Sequence, residues 1–351
     1  MRSLLSVFLI AVPVTLILCL VGISRGMLDD SARRARGIGA DIMVRPPGTS
    51  VLTLSGAPMR EKLVDVIRQK PHVALAIGMI VFNVTGVSFV SGIDLARFNQ
   101  MSGGFKYLEG GPFRGSDDIV VDEYYARQHK LHAGDQVTDI LNHRWRVSGI
   151  AEGGKLAHLV VPMRTLQDLS GNTGGVSQIF VKADKPANIP EVLAELKMLL
   201  PDHNIYTMEE FTSLFTVENV GGLSTFIDVM VGIGVVIGFA VVLLSMYMAV
   251  LQRTREIGIL KALGASRWFI LKIILAEAVV MGLGGTLVGI GLSFAARALI
   301  QLLYPASLTQ AITPGWWLIA GAISLAGVLL GALYPGLSAA AQDPIEALAY
   351  E

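Results

Sequence analysis

The chain has 351 residues, 52% hydrophobic and only 16% charged, with a mean hydropathy of +0.58. Lys+Arg and Asp+Glu balance at 28 each, so net charge gives no sign of a nucleic-acid partner. The one cysteine, Cys19, lies in an apolar run, which excludes an intramolecular disulfide and a Cys-rich zinc site.

The charge deficit is concentrated in four segments, each long enough for a bilayer core of about 30 Å, which takes roughly 20 apolar residues. The first, Leu4 to Ile23, follows Arg2. A cleaved signal peptide is the alternative reading, but the run exceeds the usual apolar region of about 7–15 residues and no small-x-small site follows it. Arg25, Arg33, Arg34 and Arg36 come next, partly offset by Asp29, Asp30 and Asp41.

Residues 24–223 read as a mixed α/β domain. Strand candidates, rich in Val and Ile with Gly or Pro nearby, are Asp118–Asp122, Gln136–Leu141, Arg144–Ile150, His158–Pro162 and Gln178–Lys182. Helix candidates are Met59–Gln69, Glu123–His129, Arg164–Leu169, Ile189–Leu199 and Met208–Phe215. The Gly-rich stretch Gly103–Gly115 predicts a loop. Asp117-Asp118 and Asp122-Glu123 read as the solvated ends of a strand. His129 and His132, three apart, have ligand spacing but read first as surface residues flanking a turn.

The remaining spans fall at about 224–251, 269–300 and 316–340 within residues 224–351. Each carries glycines four apart: Gly234 with Gly238, Gly285 with Gly289, Gly327 with Gly331. That spacing lets helix backbones approach closely in lipid. Glu277 is the acid deep inside a span; it either has a role in a transport cycle or snorkels and pairs with Lys272 or Lys261. Pro335-Gly336 predicts an end or a kink in the last helix. Trp316 and Trp317 fit an aromatic belt at the outer membrane surface. The fold class is therefore a multi-span α-helical membrane protein with four transmembrane helices. A mixed α/β extracytoplasmic domain is inserted between helices 1 and 2.

Between the second and third spans lies Arg253-Thr-Arg-Glu-Ile-Gly-Ile-Leu-Lys-Ala-Leu-Gly-Ala-Ser-Arg267, with four basic residues against the one acid Glu256. A basic loop between spans is expected on the cytoplasmic side, which places both termini there. The segment is helix-prone and amphipathic. It suits docking of another protein; a patch attracting anionic membrane lipid is the alternative. No catalytic constellation accompanies it. The sequence contains no G-x-x-x-x-G-K-[ST], and Gly153-Gly154-Lys155-Leu156 lacks the first glycine and the hydroxyl residue. No H-E-x-x-H occurs either.

Residues 253–266, the Gly-rich span that begins near Ala276-Glu277-Ala278, and the closing Tyr334-Pro-Gly…Asp-Pro-Ile-Glu-Ala-Leu348 resemble the FtsX-like/MacB-like ABC transporter permeases. Gly39-Ala-Asp-Ile-Met-Val-Arg-Pro46, Asp118–Asp122, Leu131-His-Ala-Gly-Asp135 and Arg146-Val-Ser-Gly-Ile150 resemble that family's periplasmic core domain. The resemblance implies a bacterial inner-membrane permease that is not itself an enzyme. ATP and Mg would be bound by a partner, an ABC-type ATP-binding subunit. It also implies a second permease and, in some systems, a periplasmic adaptor protein. Arg253, Arg255, Glu256, Ile257, Leu260, Lys261, Leu263, Gly264 and Arg267 then fall at or beside the ATPase contact. Motion driven by the ATPase would reach the outer domain by mechanotransmission, for export or extraction of a substrate. The alternative within the family is a regulator of an extracytoplasmic hydrolase that transports nothing. Two departures from the family pattern are visible: the sequence starts almost directly at Leu4, so the family's amphipathic helix either lies upstream of it or is lacking in this branch, and Ser338–Gln342 lacks the basic residues members often carry.

Overall fold

A computed structural model describes residues 2–49, 58–85, 88–219, 222–306 and 308–341. They form two compact units, 25–221 with 301–309, and 1–24 with 222–300 and 310–351. Helix α1, Arg2–Arg36, contributes to both.

The α/β unit follows in chain order from the end of α1. Its elements are β1 (Ile42–Arg45), β2 (Met59–Arg60), α2 (Lys62–Arg68), β3 (Val73–Thr85), β4 (Ser88–Ile93), α3 (Leu95–Ser102), β5 (Tyr107–Gly110), β6 (Asp118–Asp122), α4 (Glu123–His129), β7 (Gln136–Ile140), β8 (His143–Ala151), β9 (Leu159–Pro162), α5 (Met163–Leu169), β10 (Gly175–Val176), β11 (Gln178–Ala183), α6 (Ile189–Leu199), β12 (Asn204–Thr207) and α7 (Met208–Ser213). One ten-stranded sheet runs β12-β1-β11-β3-β4-β9-β6-β8-β5, with β7 paired to β8. It is mixed: β4–β9 and β6–β8 are parallel, the other pairs antiparallel.

Strand periodicity sends alternate residues into two cores. Ile42, Ile119, Leu159, Ile179 and Val181 join one cluster with Ile67, Leu166 and Leu196 from α2, α5 and α6. Met43, Met79, Val120, Val160 and Phe180 join the other, with Ala35 of α1, Phe98 of α3 and Phe211 of α7. With both faces covered, inner strands read as continuous apolar runs, as in Ile119-Val-Val121. Leu141 and Asn142, at φ +57° and +53°, close the β7–β8 hairpin with the left-handed pair whose twist matches its strands.

Several expectations change here. Met59–Gln69 is a two-residue strand followed by α2 rather than one helix, and the stretch 103–115 holds β5. Asp118 and Asp122 are buried, not solvated. Asp118 accepts the N–H groups of Arg114 and Gly115, both at 2.9 Å, and pairs with Arg146 at 2.7 Å. Burial alone would push its carboxyl up; these donors outweigh it and hold the group below the usual carboxylate range. Asp122 meets Arg34 at 3.0 Å and His158 Nδ1 at 2.6 Å, while Arg34 also pairs with Asp30 at 2.6 Å. Burial opposes ionisation of Asp122 too, and His158 and Arg34 overcome it, so its carboxyl is also shifted down. Arg34 is thus an internal charge.

The helical unit consists of the first part of α1 with α8 (Leu223–Gln252), α9 (Thr254–Ala262), α10 (Arg267–Leu303) and α11 (Pro314–Ala341). α1, α8, α10 and α11 are long and apolar enough to cross a membrane. Large side chains such as Leu244, Val280, Leu287, Leu318 and Leu330 face outward. Small ones, including Gly285, Gly289, Ala320, Gly331 and Ala332, are buried. In lipid, apolar side chains gain nothing by being buried, so packing is set by how closely backbones fit. The glycine pairs differ in this respect. A Cβ on Gly285 would lie 2.5 Å from Ile10, and one on Gly289 2.8 Å from Val14 and 2.9 Å from the Ala11 carbonyl. Thr15 Oγ1 also donates to the Gly289 carbonyl at 3.1 Å. A Cβ on Gly331 would meet the Phe239 carbonyl at 3.0 Å, but one on Gly327 would meet nothing within 4 Å. Gly234 and Gly238 face Ile17 and Pro13 at ordinary contact distances of 3.5 and 4.0 Å.

Pro335 does not end α11, which runs through it to Ala341. Proline deprives the Gly331 carbonyl of its helical donor, and packing of neighbouring helices is what tolerates such a gap. Tight packing continues next to it, where a Cβ on Gly336 would lie 2.8 Å from Leu271. The closing segment from Gln342 onward lies outside the described residues.

Gly289→Ala forces α1 and α10 apart and is expected to destabilise the purified protein by about 1–3 kcal/mol. Gly327→Ala is expected to be neutral or to stabilise by about 0.4–1 kcal/mol, because the site is open and the helix gains order. Thermal unfolding of the two variants in one detergent checks the contrast.

Candidate coupling segment

α8 ends at Gln252, and α9 starts two residues later, after a corner at Arg253. Thr254 Oγ1 holds that corner, donating to the Val250 carbonyl at 3.2 Å and the Leu251 carbonyl at 2.9 Å, and so occupies acceptors that the end of α8 leaves open. α9 ends on Gly264, whose φ of +93° needs no Cβ. The Gly264 and Ala265 N–H groups bond back to Lys261 and Leu260, a glycine-type helix stop. Ser266 Oγ then accepts the Phe269 N–H at 3.2 Å and starts α10.

One face of α9, Thr254, Ile257 and Gly258, is buried at helical spacing. Ile257 joins a cluster with Val250, Ile270, Ala339 and Ala340. The other face carries exposed Arg255, Glu256, Ile259 and Leu260. Leu263 is 81% exposed, and Trp268 and Phe269 continue the apolar patch beyond Gly264 and Arg267. The sequence-predicted residues therefore divide. Ile257 seats the helix on its own bundle, whereas Arg255, Glu256, Leu260, Leu263 and Arg267 face outward.

Two basic residues hold the segment from either side. Arg253 Nη1 lies 3.0 and 3.3 Å from the two Glu277 carboxylate oxygens, and Lys261 Nζ donates to the Ala340 carbonyl at 2.9 Å. Glu277 thus pairs with Arg253, not with Lys272 or Lys261. Sequence reasoning missed this pair because only the fold of the corner between α8 and α9 brings Arg253 to Glu277, 24 residues away. It also missed Thr254 and Ser266, whose signal was a hydroxyl residue at each helix boundary. His129 stacks on Tyr125 with ring centroids 4.2 Å apart, and His132 meets Glu109 at 3.4 Å. Among the described residues no group of three metal-ligating side chains occurs.

Four apolar helices, with an α/β domain between the first and second, define a polytopic permease-type membrane subunit. Residues 3–199 match the MacB-like periplasmic core domain family and residues 229–344 the FtsX-like permease C-terminal family. The chain belongs to this family of ABC transporter permeases. It is 31% identical to the ABC transporter permease YknZ of Bacillus subtilis over 62% of this chain and 55% of that one. To YvrN of the same organism it is 24% identical over 100% of this chain and 96% of that one. To the macrolide export ATP-binding/permease protein MacB of Shigella sonnei it is 31% identical over 77% of this chain and 42% of that one. The chain thus spans about half the length of YknZ and MacB. The crystal structure of the periplasmic region of MacB from Actinobacillus actinomycetemcomitans aligns with 53% of this chain and 97% of its own, at 19% identity and a TM-score of 0.40.

Reversing either charge of the Arg253–Glu277 pair places like charges together. Arg253→Glu alone and Glu277→Arg alone are expected to raise amide exchange in α9 by about two- to fivefold, the range for a part-exposed pair worth about 0.4–1 kcal/mol. The double reversal is expected to restore protection. Hydrogen–deuterium exchange on the three variants measures this.

Proposed function

We propose that this chain is the transmembrane subunit of an ABC transporter, driven by a separate cytoplasmic ATP-binding subunit that docks on α9. One observation carries the reading. α9 is fixed to its own bundle by Ile257, the Arg253–Glu277 pair and the Lys261–Ala340 bond, yet turns Arg255, Leu260 and Leu263 outward. A segment that merely joined two spans would need no such rigid seat. An element that must transmit force does, because a floppy contact dissipates displacement. The mixed face also suits a protein partner. Exposed leucines provide apolar anchors, and Arg255 and Arg267 provide charge steering.

In this reading the basic segment lies in the cytoplasm, both termini lie on that side, and the α/β domain is extracytoplasmic in the inner membrane. ATP and Mg belong to the partner. A second permease completes the assembly, as a homodimer or heterodimer, and a periplasmic adaptor is a further candidate partner. The substrate is exported or extracted by movement of the outer domain. The buried faces of α10 and α11, made mainly of glycine, alanine and larger apolar residues, support this.

The test is co-expression with the ABC-type ATP-binding subunits of the same genome. Leu260→Asp and Leu263→Asp are expected to weaken association by about 2 kcal/mol each, roughly 30-fold, and to uncouple ATPase activity from the permease. Glu256→Lys is expected to change salt dependence as well. Unchanged association and coupling in both Asp variants would overturn the proposal.

A further inference from the structure

The α/β unit contains a cavity of about 520 Å³ that nothing above uses. That volume lies within the range of about 300–1,000 Å³ typical of small-molecule sites. It opens between the sheet face carrying Met43 and Met79 and the elements that cover that face, the end of α1 and α7. Its apolar wall is made of Met27, Met43, Met79, Phe89, Phe211 and Phe215. Methionine and phenylalanine together give a polarisable, adaptable surface that accepts varied apolar shapes.

Gln178 supplies the polar feature. It sits on β11, is only 5% exposed and lines the cavity. Its side-chain amide makes no hydrogen bond with any described residue and is not among the fully buried unpartnered polar groups, so it is open to the cavity. An amide open to a cavity can both donate to and accept from a ligand.

The charges at the cavity point to the ligand's own charge. Asp30, Arg34, His129 and His158 line it. Arg34 is shared between Asp30 and Asp122, Asp30 also holds Arg33 at 2.9 Å, and His158 lies against Asp122. Among the described residues, Asp30 and Arg34 therefore each have an oppositely charged partner and His158 has Asp122, so none of the three is left free to meet a charged headgroup. Such a headgroup would lose its hydration without return.

We propose that this cavity binds an uncharged amphiphile, with an apolar body against the Met/Phe wall and one hydroxyl or amide group hydrogen-bonded to Gln178. The site does not depend on the ATPase reading, and its test uses the full-length permease alone in nanodiscs. The probes are a diazirine-bearing decanol and the matching diazirine-bearing decane, photolysed and mapped by peptide mass spectrometry. Saturable labelling is expected on peptides of β3 and α7, around Met79 and Phe211, with the alcohol favoured over the alkane by about 5-fold. Gln178→Leu is expected to abolish that preference while keeping alkane labelling. Val81→Trp, which fills the cavity, is expected to remove both signals while labelling of α8, α10 and α11 by the lipid-dissolved probe persists. Labelling confined to the membrane helices, or an alcohol preference that survives Gln178→Leu, would overturn the proposal.

Discussion

The close approach of α10 to α1 at Gly285 and Gly289 is the contact on which the helical unit depends. Large apolar side chains cannot drive helices together in lipid, because the tails solvate them equally well. Backbone proximity has to do so, and at these two positions a single added carbon would collide with Ile10, Val14 or the Ala11 carbonyl. Once α10 is fixed, Ile270 and Ile274 present the surface on which Ile257 seats α9. The orientation of the outward-facing Leu260 and Leu263 follows from a glycine contact deep in the bundle.

The α/β unit solves a different problem. Its sheet is covered on both faces, and Asp118 and Asp122, at the two ends of β6, are buried and need partners. Asp118 finds two backbone N–H groups and Arg146; Asp122 finds Arg34 and His158. Both carboxyls consequently ionise more easily than a free one, despite their burial. The same pairing gives Asp30, Arg34 and His158, which line the neighbouring cavity, their partners.

Much of this was legible in the sequence. The four spans follow from hydropathy, because the bilayer admits so few alternatives. Strands such as Asp118–Asp122 and His158–Pro162 were visible from Val and Ile between turn residues. β3 and β4 were not, since a run such as Ala74-Leu-Ala-Ile-Gly-Met-Ile80 buries residues on both faces and loses the alternation that marks a strand. α3 was missed although Asp94 caps it by accepting the Arg97 N–H and Gly103 ends it at φ +74°. In the coupling segment the chemistry was legible and the geometry was not. A one-dimensional pattern shows that Arg253 and Glu277 exist. It does not show that they meet across a helical corner, nor that Ile257 turns inward while Leu263 turns out.

The central claim is that the outward face of α9 is where the ATP-binding subunit attaches. Site-directed cross-linking tests it most directly, in a Cys19→Ser background so that the introduced thiol is the only one in the permease. With a short thiol-to-amine cross-linker and the ATP-binding subunit present, Leu263→Cys is expected to join the two chains in good yield, whereas Leu318→Cys, exposed near the start of α11, is not. Equal yields at both positions, or none at Leu263→Cys in a complex that still co-purifies, would contradict the account.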